Sequence, residues 1–390
     1  MKVASRVLSI EAYFFAKKLA EIKELKTKGK PIINLGIGSP DLEPHQKVRQ
    51  ALQVATEKKG SYQYQSYRGI DDLRIAIAKW YQKIYKVKLD EKHEVLPLMG
   101  SKEGINYISL AYLEAGDKVL VPNPGYPAYA AAARIAGAKA VYYDLKADKN
   151  WYPDFEQLEQ LVDEDCKMIW VNYPNMPTTQ AASMDVFEQL LNFAKKHQLL
   201  LCNDNPYSLI SSSSPKSLLS LPNAKDVAVE LNSLSKSHNM AGARLGMLVG
   251  RQTIISDIFK VYSNFSSGMF LPIQKAAIEA LELDASWYKM LNKFYMERRQ
   301  LAQAILADLG CQYNPRGAGL FVWGKIPSAF SDCHELSDQL LYKANVFVTP
   351  GSIFGSNGSQ YIRISLCASL EELTEAKQRI KQHLNLPLVR

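Results

Sequence analysis

The sequence predicts an α/β fold: a large domain with a mostly parallel sheet flanked by helices, and a smaller α+β domain beside it. Three observations carry this. Seven short apolar runs, at residues 95–99, 118–121, 140–143, 168–172, 199–203, 227–231 and 245–249, alternate with stretches of helical periodicity. That alternation is the pattern of parallel strands joined by crossover helices, with helices on both faces of the sheet. At 390 residues the chain is long enough for two lobes, each with a sizeable core.

The elements follow in chain order. Residues 1–45 read as a helix followed by the loop Gly36–Asp41, an N-terminal arm ahead of the large domain. Residues 46–283 hold the alternating runs and form the large domain. Residues 284–390 form the small C-terminal domain, opened by a long helix over 287–309 and closed by a helix from Leu370. The serine patch 211–214 reads as a surface loop, and no internal repeat is present.

Composition excludes several function classes. The formal net charge is +8, but the lysines are spread along the chain, with small knots at 23–30 and at Lys195-Lys196 that read as solvated helix faces. Nucleic acid is therefore not the expected partner. No run reaches the roughly 18 apolar residues of a membrane helix, and Met1-Lys2-Val3-Ala4-Ser5-Arg6 leads into charged, helix-prone sequence rather than an apolar leader. Five widely spaced cysteines without a Cys-x-x-Cys pair predict reduced thiols, a cytoplasmic protein and no metal site.

The stretch from Ser233 to Gly246, SLSKSHNMAGARLG, is the most informative. Lys236 lies there among hydroxyls and small residues, with Arg244 eight residues on. That setting suits an amine of depressed pKa that attacks a carbonyl. Ser233, Ser235 and Arg244 supply hydroxyl donors and a planar cationic fork for a phosphate. A lysine nucleophile beside a phosphate site reads as a pyridoxal-phosphate center. Asp204 and Tyr207 close the run LLLCNDNPY, where Pro206 ends the strand and ligands gather beyond strand carboxyl ends. Ser101 and Lys102, in GSKEG, stand where a strand gives way to a helix. Ser101 is the expected N-cap, and the free amides there would hold an anion. Arg363 sits mid-strand in YIRIS, a costly place for a guanidinium unless a carboxylate arrives.

These segments resemble, in order, the motifs of the class I/II aminotransferases of fold type I, over residues 33–365. The resemblance implies Lys236 as the Schiff-base lysine, Asp204 on the ring nitrogen and Tyr207 on the ring oxygen. It puts the phosphate on Ser101, Lys102, Ser233, Ser235 and Arg244, and the ring face against Tyr126 of PGYPAY. Arg363, with the amide of Gly38 in INLGIGSPD, would hold the substrate carboxylate. Tyr64 of YQYQSYRG would reach the neighboring subunit's phosphate, implying a homodimer. By the same resemblance the N-terminal segment and the C-terminal part form one small domain together.

One loop departs from the pattern. In NYPNMPTT, Met176 stands where the family carries the asparagine that donates to the ring oxygen, and Thr179 replaces a glycine. A thioether cannot donate that bond. Either Asn175 takes its place or Tyr207 carries the contact alone.

The activity implied is transfer of an amino group from an L-amino acid to a 2-oxo acid by a ping-pong route through Lys236. A β- or γ-lyase acting on carbon–sulfur bonds would share the same lysine, aspartate and arginine. An amino-acid-sensing homologue is the remote alternative; such regulators attach a DNA-binding domain, and here one helix precedes the glycine loop. Tyr13, Tyr67, Tyr126, Arg68, Arg134, Phe270, Phe321 and Trp323 are candidates for the substrate pocket. A tyrosine-rich wall would favor large or aromatic substrates, and a second arginine would favor acidic ones or diaminopimelate.

Overall fold

A computed structural model describes residues 1–8, 14–212 and 214–383. Its strands are β1 (Ile33–Asn34), β2 (Val95–Leu98), β3 (Lys118–Asn123), β4 (Lys139–Asp144), β5 (Cys166–Val171), β6 (Leu200–Asp204) and β7 (Ala228–Ser233). They continue with β8 (Gly246–Gly250), β9 (Gln312–Tyr313), β10 (Phe321–Lys325), β11 (Val346–Phe347), β12 (Thr349–Pro350) and β13 (Tyr361–Ser365). All seven expected runs are strands of one sheet, ordered β2-β8-β7-β6-β5-β3-β4. β3 to β7 pair in parallel, and β8 runs antiparallel to both its neighbors.

Side chains alternate across this sheet, as strand pleating requires. In β5, Met168 and Trp170 enter one hydrophobic layer while Ile169 and Val171 enter the other. β6 divides Leu200 and Cys202 from Leu201 in the same way. Both faces are covered by helices, so the strands read as apolar runs rather than as alternating ones.

A second sheet, β12-β13-β10-β9, is antiparallel, and β13 is interior to it. Arg363 is therefore buried in a central strand rather than facing solvent on an edge. The long helix runs Ala285–Asp308, its first turn capped by the Asp284 carboxylate accepting from the Ser286 amide at 2.8 Å. β1 pairs in parallel with β11, tying Ile33 to Val346 and the N-terminal segment to the C-terminal third.

Candidate active site

Strands β2, β5, β6 and β7 present their carboxyl ends at one edge of the large sheet, where open α/β sheets bind ligands. β6 ends on Asp204, β7 on Ser233, and Asn172 follows directly on β5. With the glycine loop, β10 and β13 opposite, they enclose a cavity of about 400 Å³. Gly38, Ser101, Lys102, Tyr126, Asp204, Tyr207, Ser233, Ser235, Lys236, Arg244 and Arg363 all line it. Tyr64 and Asn175 do not.

One end of the cavity is a cup of donors. Ser101 is not the N-cap of the helix Ser101–Tyr112 that was expected; Gly100 takes that position with φ 93°. Glycine adopts that angle readily, and a side chain there would also collide with the Arg244 guanidinium, whose Nη2 would lie 2.2 Å from an added Cβ. Ser101 is thereby moved one place inward, and it faces the cavity at the positive end of its helix. Across the cup, Ser233 Oγ accepts the Ser235 amide at 3.1 Å and lies 2.9 Å from Ser235 Oγ. Arg244 is steadied by its Nη1 donating to the Ala241 carbonyl at 2.9 Å.

The middle of the cavity holds the titratable pair. Asp204 Oδ2 accepts the Tyr129 hydroxyl at 2.9 Å, while Oδ1 is buried without a partner. Burial raises the Asp204 carboxyl to about 7, against the lowering influence of that hydrogen bond, with Glu230 adding to the rise and Lys236 opposing it. A buried carboxylate oxygen without a partner, on a residue that lines the cavity, calls for a positively charged donor. Burial also lowers the Lys236 ammonium below its usual range, and Arg363 and Arg244 push in the same direction. Its Nζ donates to the Gly38 carbonyl at 2.6 Å.

The far end is built on Arg363. Its guanidinium lies over the Phe321 ring at 3.9 Å and the Phe354 ring at 4.6 Å from the centroids. Nη2 donates to the Gly36 carbonyl at 2.8 Å, and Nη1 lies 3.1 Å from Met176 Sδ. Gly38 belongs to the same corner, where an added Cβ would lie 2.4 Å from the Phe321 ring. Met176 thus faces the arginine across the cavity wall. Asn175 does not replace the missing donor: its amide donates to the Asn172 carbonyl, and its oxygen accepts from the amide and hydroxyl of Thr178. A loop that reverses direction needs those bonds, so the side chain is committed locally. Tyr207 is left as the candidate donor to the ring oxygen.

Several lining residues escaped the sequence reading. Tyr129, three residues past Tyr126, stacks on Trp170 and bonds Asp204, 75 residues away in sequence. Asn172 holds the strand end, donating to the Asp204 carbonyl at 2.6 Å and accepting the Met176 amide at 2.8 Å. Its place directly after an apolar run was the available signal. Phe15 and Leu19, from the helix Phe14–Thr27, and Phe354 close the mouth. Of the pocket candidates, Phe321 and Tyr126 line the cavity; Trp323, two residues further along β10 on the same face as Phe321, is not part of the lining and stacks on Tyr361. Arg134 lines a separate cavity, Arg68 packs on Phe259, and Tyr67 and Phe270 are exposed. Tyr13 lies outside the described residues.

Residues 30–380 match the family Aminotransferase class I and II. The chain belongs to that family. Its curated relatives include an LL-diaminopimelate aminotransferase of Dehalococcoides mccartyi, 38% identical over 375 residues and 96% of both chains. Another, of Natranaerobius thermophilus, is 39% identical over 99% of this chain and all of the relative. Among solved structures, apo-BacF of Bacillus subtilis superposes with a TM-score of 0.95 at 36% identity over the whole of both chains. A Thermus thermophilus aspartate aminotransferase mutant gives 0.91 at 25% identity, over 98% of this chain and all of that one.

This aminotransferase uses pyridoxal phosphate, and its substrates are amino acids and 2-oxo acids. The cavity fits the cofactor: an oxyanion cup of serines and Arg244 at one end, a buried unpartnered carboxylate oxygen in the middle, and beside it a lysine whose ammonium is lowered by burial. Among the described residues, no cluster of histidine, cysteine or acidic side chains is arranged to hold a metal. No described helix is long and apolar enough to cross a membrane.

Proposed function

We propose that the chain catalyses ping-pong transamination with roles divided along the cavity, and the convergence of Lys236, Asp204 and Arg363 on one space is what carries the reading. Bound pyridoxal phosphate supplies a carbonyl for the amino group and a ring that spreads the charge left when the Cα proton departs. Ser101, Lys102, Ser233, Ser235 and Arg244 hold its phosphate. Asp204 keeps a proton on the ring nitrogen through Oδ1, which explains a carboxylate held in a buried place. Tyr207 donates to the ring oxygen, and Tyr126 packs on the ring face. Arg363 takes the substrate's α-carboxylate in a bidentate fork, assisted by the amide of Gly38. Lys236, its ammonium depressed by burial, would take the substrate's Cα proton as base and then serve as acid.

The same reading makes the enzyme a cytoplasmic homodimer with Tyr64 acting in the partner's site, and divides the chain at residues 45 and 283. Tyr64 is 91% exposed, and Phe265, 69% exposed, and Tyr62 add apolar surface that a second copy would cover. All five cysteines are free, as a reducing compartment keeps them. The relatives are named aminotransferases, so a lyase is not favored.

The decisive experiment adds amino acids without any oxo acid to the cofactor-loaded protein. The cofactor's absorbance should shift and return when a 2-oxo acid is added. Accumulating ammonia with no net shift would sink the reading in favor of a lyase.

A further inference from the structure

From a chain of buried hydrogen bonds behind the cavity, we infer that Tyr85 is a positioning residue for the cofactor. Its hydroxyl ties Ser233, in the phosphate cup, to the turn that carries Tyr207. The inference rests on the proposed contacts of Ser233 with the phosphate and of Tyr207 with the ring oxygen. The Ser233 amide donates to Asn232 Oδ1 at 2.8 Å. A backbone amide can only donate, so the Asn232 side chain turns its oxygen toward Ser233 and its nitrogen away. That nitrogen donates to the Tyr85 hydroxyl at 3.1 Å, and the hydroxyl lies 2.6 Å from Ser208 Oγ. Ser208 follows Tyr207 directly, in a turn closed by the Ile210 amide donating to the Tyr207 carbonyl at 2.9 Å. Tyr85, Ser208, Asn232 and Ser233 are all buried.

Tyr85 is itself held in place. It ends the helix Asp71–Tyr85, and Tyr81, one turn earlier on the same face, donates to the Glu230 carboxylate at 3.2 Å. Glu230 stands on the same face of β7 as Asn232. It also accepts from Asn203 Nδ2 at 2.8 Å, Ser217 Oγ at 2.9 Å and the Leu218 amide at 3.1 Å. The last turn of the helix is thus pinned to β7 by polar bonds that leave it little room to slide. Burial pushes the Tyr85 phenol above its usual range, with Glu230 adding to the rise, so it stays a neutral hydroxyl. A single short arm joins the phosphate of pyridoxal phosphate to its ring. The cup and the donor to the ring oxygen must therefore keep one spacing, and Tyr85 bonds to the carriers of both. Without its hydroxyl, the Asn232 amide and the Ser208 hydroxyl each lose a buried partner, and the two carriers can shift apart.

The test removes that hydroxyl in the full chain, as Tyr85→Phe, and reads the cofactor rather than turnover. Titration of the cofactor-free protein with pyridoxal phosphate should give a Kd raised roughly 2- to 10-fold, the scale of one neutral hydrogen bond. The pH midpoint of the bound cofactor's absorbance should move up, because a displaced Tyr207 donates less well to the ring oxygen. Tyr207→Phe should move that midpoint further, and Tyr85→Phe added to it should move it no more, since both changes act on one contact. Ser208→Ala breaks the same bridge with a smaller change; it should reproduce the upward shift, and it carries the test if Tyr85→Phe does not fold. A Tyr85→Phe protein that melts lower but keeps the parent Kd and midpoint would overturn the inference and leave Tyr85 a packing role. A double variant shifted beyond Tyr207→Phe alone would overturn it as well. An unmoved midpoint in Tyr207→Phe would instead refute the ring-oxygen contact on which the inference rests.

Discussion

The two ends of the cavity are built from opposite materials. The end proposed for the phosphate is polar, made of hydroxyls and Arg244 set on β7, the segment after β7, and the start of the helix Ser101–Tyr112. The other end is mostly apolar around the Arg363 guanidinium, and it is assembled from the helix Phe14–Thr27, the glycine loop, β10 and β13. The first is local in part: the serines that bond each other sit two residues apart, though Gly100 and Ser101 reach Arg244 from much earlier in the chain. The second is long-range: the Arg363 contact with the Gly36 carbonyl spans 327 residues. A site that holds a fixed cofactor is carried on a rigid sheet edge, whereas the part that reads a variable side chain is carried on segments free to differ.

Changes between the ends, at the reacting amine, should cost most. Lys236→Ala should slow the half-reaction by roughly 10²–10⁴-fold or more, the scale of general acid–base catalysis, with the fold unchanged by circular dichroism. Turnover within tenfold of the parent would remove Lys236 from the mechanism. Arg363→Lys keeps the charge and loses the fork, and should raise KM roughly 10- to 100-fold with a smaller effect on kcat. Equal loss in both would mean that Arg363 acts on the transition state rather than on carboxylate binding.

The middle of the cavity makes a pH prediction. The Asp204 carboxyl is raised to about 7 in the folded chain, against about 3.9 unfolded. The folded state therefore binds more protons across that window, and stability falls as pH rises through it. The contribution is present in full below about 3.9 and is gone above about 7. Cofactor-free protein should melt lower at pH 7.5 than at pH 5 by a larger margin than Asp204→Asn, which has no charge to bury. Parallel melting curves across that range would refute the raised carboxyl.

Smaller effects separate the ends further. Met176→Asn restores a donor near the ring oxygen, and a hydrogen bond to a charged group contributes about 1.5–3 kcal/mol. Cofactor affinity should rise roughly tenfold, and the pH midpoint of the bound cofactor's absorbance should move down. An unchanged midpoint would place Met176 with Arg363 alone. Tyr64→Phe should weaken cofactor retention by a few-fold in a protein that still sediments as a dimer. No change in retention would refute the contribution in trans.

What was legible in the sequence follows the same division. The seven strands could be read because strands buried on both faces are apolar runs, and the phosphate end because its residues lie in short motifs. Ser101 came out one place deeper in its helix because the left-handed φ of Gly100 depends on the close approach of Arg244, which no local pattern announces. Tyr129 was missed for a related reason: its partner Asp204 is brought near only by the neighboring positions of β3, β5 and β6. Asn175 looked available to the cofactor because asparagine offers two donors. The loop's own backbone had the prior claim: the side-chain amide donates to the Asn172 carbonyl, and the side-chain oxygen accepts the Thr178 amide.

The pairing of β1 with β11 has a consequence for synthesis of the chain. The Thr349 hydroxyl that donates to the Gly36 carbonyl lies 313 residues downstream, so the glycine loop emerges from the ribosome long before its support exists. The large sheet has all its strands by Gly250 and can collapse first. The substrate end is then closed last, by the final third of the chain returning to its beginning. A nascent chain stalled after the long helix should already hold a protected sheet, while its first forty residues remain open to protease.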